Sequence, residues 1–257
     1  MTATERGLAG NIPYAATGSG RTTVVCAGLW HTTGVDSAAL VQGAIGPLAD
    51  LGGERRLVVV NRRADLPDGV SIGDMAAEYA GMIRGHFGAP VDVVGTSTGG
   101  SIAQQLAADH PDTVRRLVLV STACRLGTLG AASQARAAIA LRAGRSRAAF
   151  AEIAGDLATR GLQSVARGAG WLAAPYVLKD AQQQADLAAT LEAEDSFDLA
   201  RCAHAIQART LIVAGGRDRF YSRELFVETA ALIPDSELRC CRDAGTSPSP
   251  PIAAHAR

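Results

Sequence analysis

The passage with the clearest chemical potential is Val91-Asp92-Val93-Val94-Gly95-Thr96-Ser97-Thr98-Gly99-Gly100. A Gly-x-Ser-x-Gly follows an apolar run, and a helical pattern begins at once. A strand feeding a helix through such a turn is a nucleophile elbow, which holds its serine in a strained backbone conformation at the strand's C-terminal end. Gly95 and Gly99 omit side chains where the turn brings backbone segments together. The helix that follows directs unpaired N–H groups and its positive dipole end toward Ser97. The competing readings are a glycine-rich turn that happens to contain a serine, and a phosphate loop. The phosphate loop needs Gly-Lys-Ser/Thr, and the only lysine in the chain is Lys179. Gly18-Ser19-Gly20 precedes a strand instead of following one, and Gly168-Ala169-Gly170 falls in a helical stretch, so neither reads as a dinucleotide site.

Positioning that serine requires a scaffold. Short β-branched runs at 22–26, 56–60, 91–94, 117–120 and 210–213 are continuously apolar, as strands buried on both faces are. Helical patterns at about 36–51, 71–87, 98–110 and 222–232 lie between them, and a last strand is expected over Ser236–Cys241. The alternation predicts an α/β fold with a mostly parallel, doubly wound sheet. Residues 12–16 are expected to add an antiparallel edge strand. Between 124 and 208 the alternation stops, and an Ala-, Arg- and Gln-rich stretch with helical spacing (131–141, 179–191) predicts an inserted helical cap. The expected division is a core of 1–123 and 209–257 and a cap of 124–208.

Composition narrows the function classes. Hydrophobic residues make up 47% and charged residues 19%, the balance of a soluble globular chain. Twenty-five basic residues cancel 25 acidic ones, which argues against nucleic-acid and anionic-membrane partners. No run reaches the length of a membrane span or a secretory core. Cys26, Cys124, Cys202, Cys240 and Cys241 form an odd, scattered set, with neither a disulfide framework nor a zinc pattern. The expectation is a cytoplasmic protein without metal or organic cofactor. Its richness in Ala, Gly and Arg, residues with GC-rich codons, suggests a bacterial source.

Over about residues 8–245 the sequence resembles the α/β-hydrolase family. The resemblance implies that Ser97 is a nucleophile forming a covalent acyl-enzyme. A serine there also separates the chain from dehalogenase and epoxide hydrolase relatives, which place Asp at the elbow. Val24-Val25-Cys26-Ala27-Gly28-Leu29-Trp30-His31 looks like the family's strand and His-Gly loop, with Ala27 where the family usually has His. By that resemblance the backbone amides of Leu29 and Thr98 form the oxyanion hole, and Trp30 and His31 lie near the pocket mouth. A surface-loop histidine is the plainer reading of His31. After strand 56–60 the family's Asp-x-Arg-Gly-x-Gly-x-Ser is replaced by Asn61-Arg62-Arg63-Ala64-Asp65-Leu66-Pro67-Asp68, where only the Arg63 position is recognisable.

Thr210-Leu211-Ile212-Val213-Ala214-Gly215-Gly216-Arg217-Asp218 resembles the family's acid loop, so Asp218 is the residue expected to orient the histidine. An Asp starting a turn or capping the next helix is the structural alternative. The family's Gly-His would fall at Gly245-Thr246, so a threonine stands at the expected position. The only later histidine is His255, which is therefore assigned as the base; His86, His110 and His204 read as structural. Loss of one base from a GC-rich Gly-His-Ile-Pro run (GGC CAC ATC CC to GGC ACA TCC C) gives Gly-Thr-Ser-Pro, the residues at 245–248. The expected function is a serine hydrolase, esterase- or lipase-like, cleaving a carboxylic ester of a small or medium acyl substrate. The alternative is a catalytically silent member, either a ligand-binding module or a frameshifted product.

Overall fold

The computed structural model describes residues 4–51, 55–88, 90–158, 161–215, 218 and 220–241. The expectations for Thr246, His255 and the rest of the C-terminal segment lie outside the described residues. Among the described residues eight strands form one sheet: β1 (Glu5–Ala9), β2 (Ile12–Thr17), β3 (Arg21–Cys26), β4 (Arg55–Val60), β5 (Val91–Thr96), β6 (Val114–Val120), β7 (Arg209–Gly215) and β8 (Ser236–Cys241). Their order is β1-β2-β4-β3-β5-β6-β7-β8. β2 is antiparallel to both β1 and β4, and every pairing from β4 onward is parallel.

The continuous apolar runs are buried on both faces. Val24, Val58, Val60, Val93, Leu117, Leu119 and Ile212 point into one hydrophobic cluster, whereas Val25, Leu57, Val59, Val94, Val120 and Val213 point into the other. Side chains alternate across a strand, so each run feeds both layers. The first layer is closed by α2 (Ile72–Met82), α3 (Thr98–Asp109) and α8 (Arg223–Leu232), the second by α1 (Ala38–Ile45). Parallel strands covered on both sides place their C-terminal ends along one edge, where such folds bind ligands.

Three elements differ from the sequence expectation. Segment 12–16 is antiparallel, but it is not the sheet edge, because Glu5–Ala9 pairs outside it through a two-residue Gly10-Asn11 turn with Gly10 at φ 65°. The helix expected over 36–51 is α-helical only to Ile45 and tightens into a 3₁₀ turn at Gly46–Leu51. Pro47 has no N–H to continue the α-helical ladder. The helix expected over 71–87 begins with a capping box between Ser71 and Asp74, then widens into π winding at Ile83–Phe87.

Among the described residues four α-helices lie between β6 and β7, α4 (Thr128–Arg142), α5 (Ser146–Leu157), α6 (Gln163–Val177) and α7 (Ala181–Asp195), followed by 3₁₀ turns at Leu199–Arg201 and Ala203–Ala205. Gly170 lets α5 and α6 approach closely; a Cβ there would sit 2.7 Å from the Ala154 Cβ and 2.8 Å from the Phe150 carbonyl oxygen. This packing role accounts for Gly170. Among the described residues no helix is long and apolar enough to cross a membrane.

Candidate active site

β5 ends at Thr96 and α3 starts at Thr98, leaving Ser97 alone between them at φ 49°, ψ −125°. A non-glycine residue in that region costs on the order of 1–3 kcal/mol and persists only where its surroundings hold it. Here they do. The Ser97 N–H donates to the Val120 carbonyl at 3.0 Å, and the Ser97 carbonyl accepts from Gly100 and Ser101 N–H at 2.7 and 3.2 Å. The flanking glycines are required by contact. A Cβ on Gly95 would lie 2.7 Å from the Gly100 Cα, and one on Gly99 would lie 2.3 Å from the Cys26 carbonyl oxygen.

The same Gly99 contact brings the loop after β3 against the elbow. A Cβ on Gly28 would be 3.5 Å from the Ser97 Cβ. The loop is held from β4, where the Val60 carbonyl accepts from Ala27 N–H at 3.0 Å. The Asn61 side-chain amide donates to the Thr32 and Gly34 carbonyls at 3.0 and 2.9 Å. Arg62 Nη2 donates to the Trp30 carbonyl at 2.9 Å. Asn61 and Arg62 are thus loop-holding residues that sequence reasoning passed over as a departure from the family pattern. The signal was there in two long polar side chains directly after an apolar strand. Arg62 is buried, and burial lowers its guanidinium pKa from the ordinary value.

The loop, the elbow and the helices of the insertion enclose a cavity of about 540 Å³, within the range of small-molecule sites. Ser97, Thr98 and Leu29 line its floor, Leu40 and Leu48 one wall, and Phe150, Ile153, Leu187 and Leu191 the roof. Trp30 and His31 line it as well, and their rings lie 5.1 Å apart. The titratable group in the lining is His31, whose pKa is lowered first by burial and then by the Arg62 charge, both of which favour the neutral imidazole. Among the described residues the walls are otherwise uncharged.

Asp218 follows β7, two strands from β5 at the same edge of the sheet. Its Oδ1 accepts from the Phe220 and Tyr221 N–H groups at 2.9 and 3.1 Å. Its Oδ2 is buried without a partner among the described residues. Burial pushes the carboxyl pKa up to about 6, with those two N–H bonds opposing the rise. Asp218 therefore does start a turn, but the cap of α8 is Ser222, whose Oγ accepts from Leu225 N–H at 3.3 Å.

Among the buried carboxylates that sequence reasoning missed, one lies against the elbow's helix. Glu194, near the end of α7, is 1% exposed and faces α3 and the acid loop. Nothing in the pattern Leu191-Glu192-Ala193-Glu194-Asp195 distinguishes it from its exposed neighbours. Burial pushes its pKa above the usual carboxylate value, while hydrogen bonds from Thr98, Gln134, Tyr221 and Ser101 pull the other way.

A doubly wound, mostly parallel sheet with a positive-φ serine between a central strand and its helix defines the α/β-hydrolase class of protein. The chain belongs to the alpha/beta hydrolase family, whose model matches residues 23–255. A 50-residue stretch, 20% of this chain, is 50% identical to a pimeloyl-[acyl-carrier protein] methyl ester esterase of Chromobacterium violaceum, and the match spans only 20% of that relative's length. Among solved structures, an enol-lactonase from Burkholderia xenovorans superposes with a TM-score of 0.73 at 19% identity, over 95% of this chain and 93% of that one. A hydrolase from a Medee basin deep-sea metagenome gives 0.75 at 13% identity, over 94% and 90%. A thermophilic esterase from Thermogutta terrifontis gives 0.70 at 20%, over 96% and 92%. These likenesses establish the fold.

Proposed function

We propose that the protein is a serine carboxylic-ester hydrolase for a small or medium, uncharged acyl substrate. In this reading residues 1–123 and 209–257 form the catalytic core and 124–208 a cap over it. Ser97 Oγ attacks the ester carbonyl while His255 takes its proton. The Leu29 and Thr98 N–H groups stabilise the oxyanion, and the C–O bond breaks as the leaving alkoxide takes the proton back from the histidine. Water, deprotonated by the same histidine, then attacks the acyl-enzyme and releases the acid and Ser97. Asp218 holds the imidazole through its open Oδ2 and stabilises the imidazolium.

The observation that supports this most directly is the strained Ser97 backbone facing a mainly apolar cavity whose described lining carries no Asp, Glu, Lys or Arg. Strain of that size at a cavity floor is retained where it presents a side chain for reaction. A charged acyl group would have to shed its hydration without a partner in such walls. The methyl ester esterase and the enol-lactonase, by their names, act on substrates of the acyl-ester class.

Labelling with a fluorophosphonate, read by intact mass and peptide mapping, tests this reading. Rapid, stoichiometric modification of Ser97 is expected, absent in Ser97→Ala and slowed strongly in His255→Ala. Folded wild-type protein that resists the probe would instead identify a ligand-binding member of the family without turnover.

A further inference from the structure

A buried carboxylate of the insertion, Glu194, is hydrogen-bonded to the start of the elbow's helix, while farther along that helix Gln105 Nε2 donates to Cys202 Sγ at 3.7 Å. Glu194 Oε2 accepts from Thr98 Oγ1 at 2.6 Å and from Gln134 Nε2 at 3.0 Å. Glu194 Oε1 accepts from Ser101 Oγ and the Tyr221 hydroxyl, each at 3.2 Å. Thr98 and Ser101 lie in the first turn of α3, directly after Ser97. Tyr221 is in the acid loop, and its N–H holds Asp218. Gln134 and Glu194 belong to α4 and α7 of the insertion. Four donors share the two oxygens, and the short Thr98 bond has the length of a charge-assisted O–H···O⁻ contact. Ordinary packing does not require this. Apolar side chains seat a helix more cheaply than a buried carboxylate does.

We propose that Glu194 is a positioning residue that ties the start of the nucleophile helix and the acid loop to the insertion, so that Ser97, the Thr98 N–H and Asp218 are held in register only when the insertion is seated. This rests on the hydrolase reading of the site above. Glu194 does not touch substrate; it acts through Thr98 and Tyr221. Pinning the Thr98 side chain fixes the plane of its peptide N–H, one of the N-terminal donors that a helix leaves unpaired. A displacement of about 1 Å in such a group can reduce turnover by on the order of 10²-fold.

The test compares Glu194→Met, which fills the space without accepting hydrogen bonds, with Glu194→Gln. The Gln oxygen keeps two of the donors, and the hydroxyls of Ser101 and Tyr221 can rotate to accept from its amide nitrogen. With p-nitrophenyl butyrate as probe, Glu194→Met is expected to lower kcat by about 10²-fold while KM stays within about threefold, and Glu194→Gln to recover most of the loss. Hydrogen exchange, which needs no turnover, is expected to quicken in Glu194→Met at 98–101 and at 218–221 together. A folded Met variant with wild-type kcat overturns the inference, as does exchange that quickens in neither segment or in only one. If the wild-type enzyme turns over no ester, the functional reading fails. The exchange result then decides the tie by itself, paired quickening supporting it and unchanged rates overturning it.

Discussion

The two sides of the cavity are built by different physics. The sheet side rests on close-packed Val, Leu and Ile at or near zero exposure, and its site residues are held by backbone hydrogen bonds such as Ser97 to Val120. The insertion has a small cluster of its own, five alanines with Leu141, Leu178, Leu187 and Leu191 as the larger members. It meets the sheet side both through apolar packing, with Ala189, Ala193, Phe197 and Leu199 entering the first hydrophobic layer, and through directional polar contacts. Besides Glu194, Asp186 accepts from the Asp65 and Leu66 N–H groups at 3.2 and 2.9 Å, holding Asp65 at φ 59°. Its outer helices are laced by Arg136 and Arg167 to Glu152 and Asp156, at half-exposed positions where ion pairs contribute little. Alanine buries little area, so the roof gains less hydrophobic stabilisation than the floor. The floor thus carries the larger apolar core and the roof the smaller one.

The largest expected effect is on the floor. Gly99→Ala pushes a methyl into the Cys26 and Ala27 carbonyls, 2.3 and 2.4 Å from where its Cβ must lie, and all the atoms involved are backbone. Either α3 or the loop bearing Leu29 has to shift. Turnover should fall by about 10²–10³-fold, the cost of losing one oxyanion donor. Stability should fall by about 1–3 kcal/mol. Steady-state kinetics and urea unfolding read both, and an unchanged kcat would mean that the loop does not serve the reaction.

A matched pair separates floor from roof. Leu117→Ala, in β6, is expected to lower global stability by about 3 kcal/mol, within the usual range for a buried leucine. Leu191→Ala, in α7, should cost about 2 kcal/mol and act mainly on the insertion. Amide exchange in α4–α7 would then quicken while β3 and β5 keep their protection, as expected of a separate cooperative unit. Equal quickening in both regions would show that roof and floor open as one body, and the contrast would fail.

This contrast also explains what could be read from the sequence. The sheet was legible because strands buried on both faces leave continuous β-branched runs, and the elbow because its glycines are forced by contacts with Gly100 and Cys26. β1 was not, since Glu5-Arg6-Gly7-Leu8-Ala9 is an outer strand with mostly exposed side chains and no apolar run. In the insertion the spacing at 131–141 and 179–191 made α4 and α7 visible, but α5, α6 and the role of Glu194 were not. Its burial depends on donors at positions 98, 101, 134 and 221, which no local pattern connects. Asn61 and Arg62 did leave a local signal, two polar side chains directly after an apolar strand, but their partners in the loop 30–34 were not legible.

The smallest predicted effect tests a place where the floor departs from its own rule. Asp218 puts a carboxyl in a buried setting with one oxygen unpartnered among the described residues, a polar cost that the apolar packing around it does not carry. Burial raises its folded-state pKa to about 6, above the 3.8 of an unperturbed aspartate. Between roughly pH 4 and 6 the folded protein therefore holds a proton that the unfolded chain has lost. Below that window the group costs nothing, and as pH rises through it toward the folded pKa the wild type loses stability. Asp218→Asn keeps an oxygen for the Phe220 and Tyr221 N–H groups but carries no charge. Denaturant titrations should find the two proteins equally stable near pH 4, with the Asp218→Asn variant ahead by about 1–2 kcal/mol at pH 8, after allowance for partial exposure. A wild type as stable as the variant at pH 8 would mean that a cation or donor meets Oδ2 in the native protein. In the hydrolase reading that group is a histidine, and repeating both titrations in a His255→Ala background would then open the gap between the aspartate and its asparagine variant.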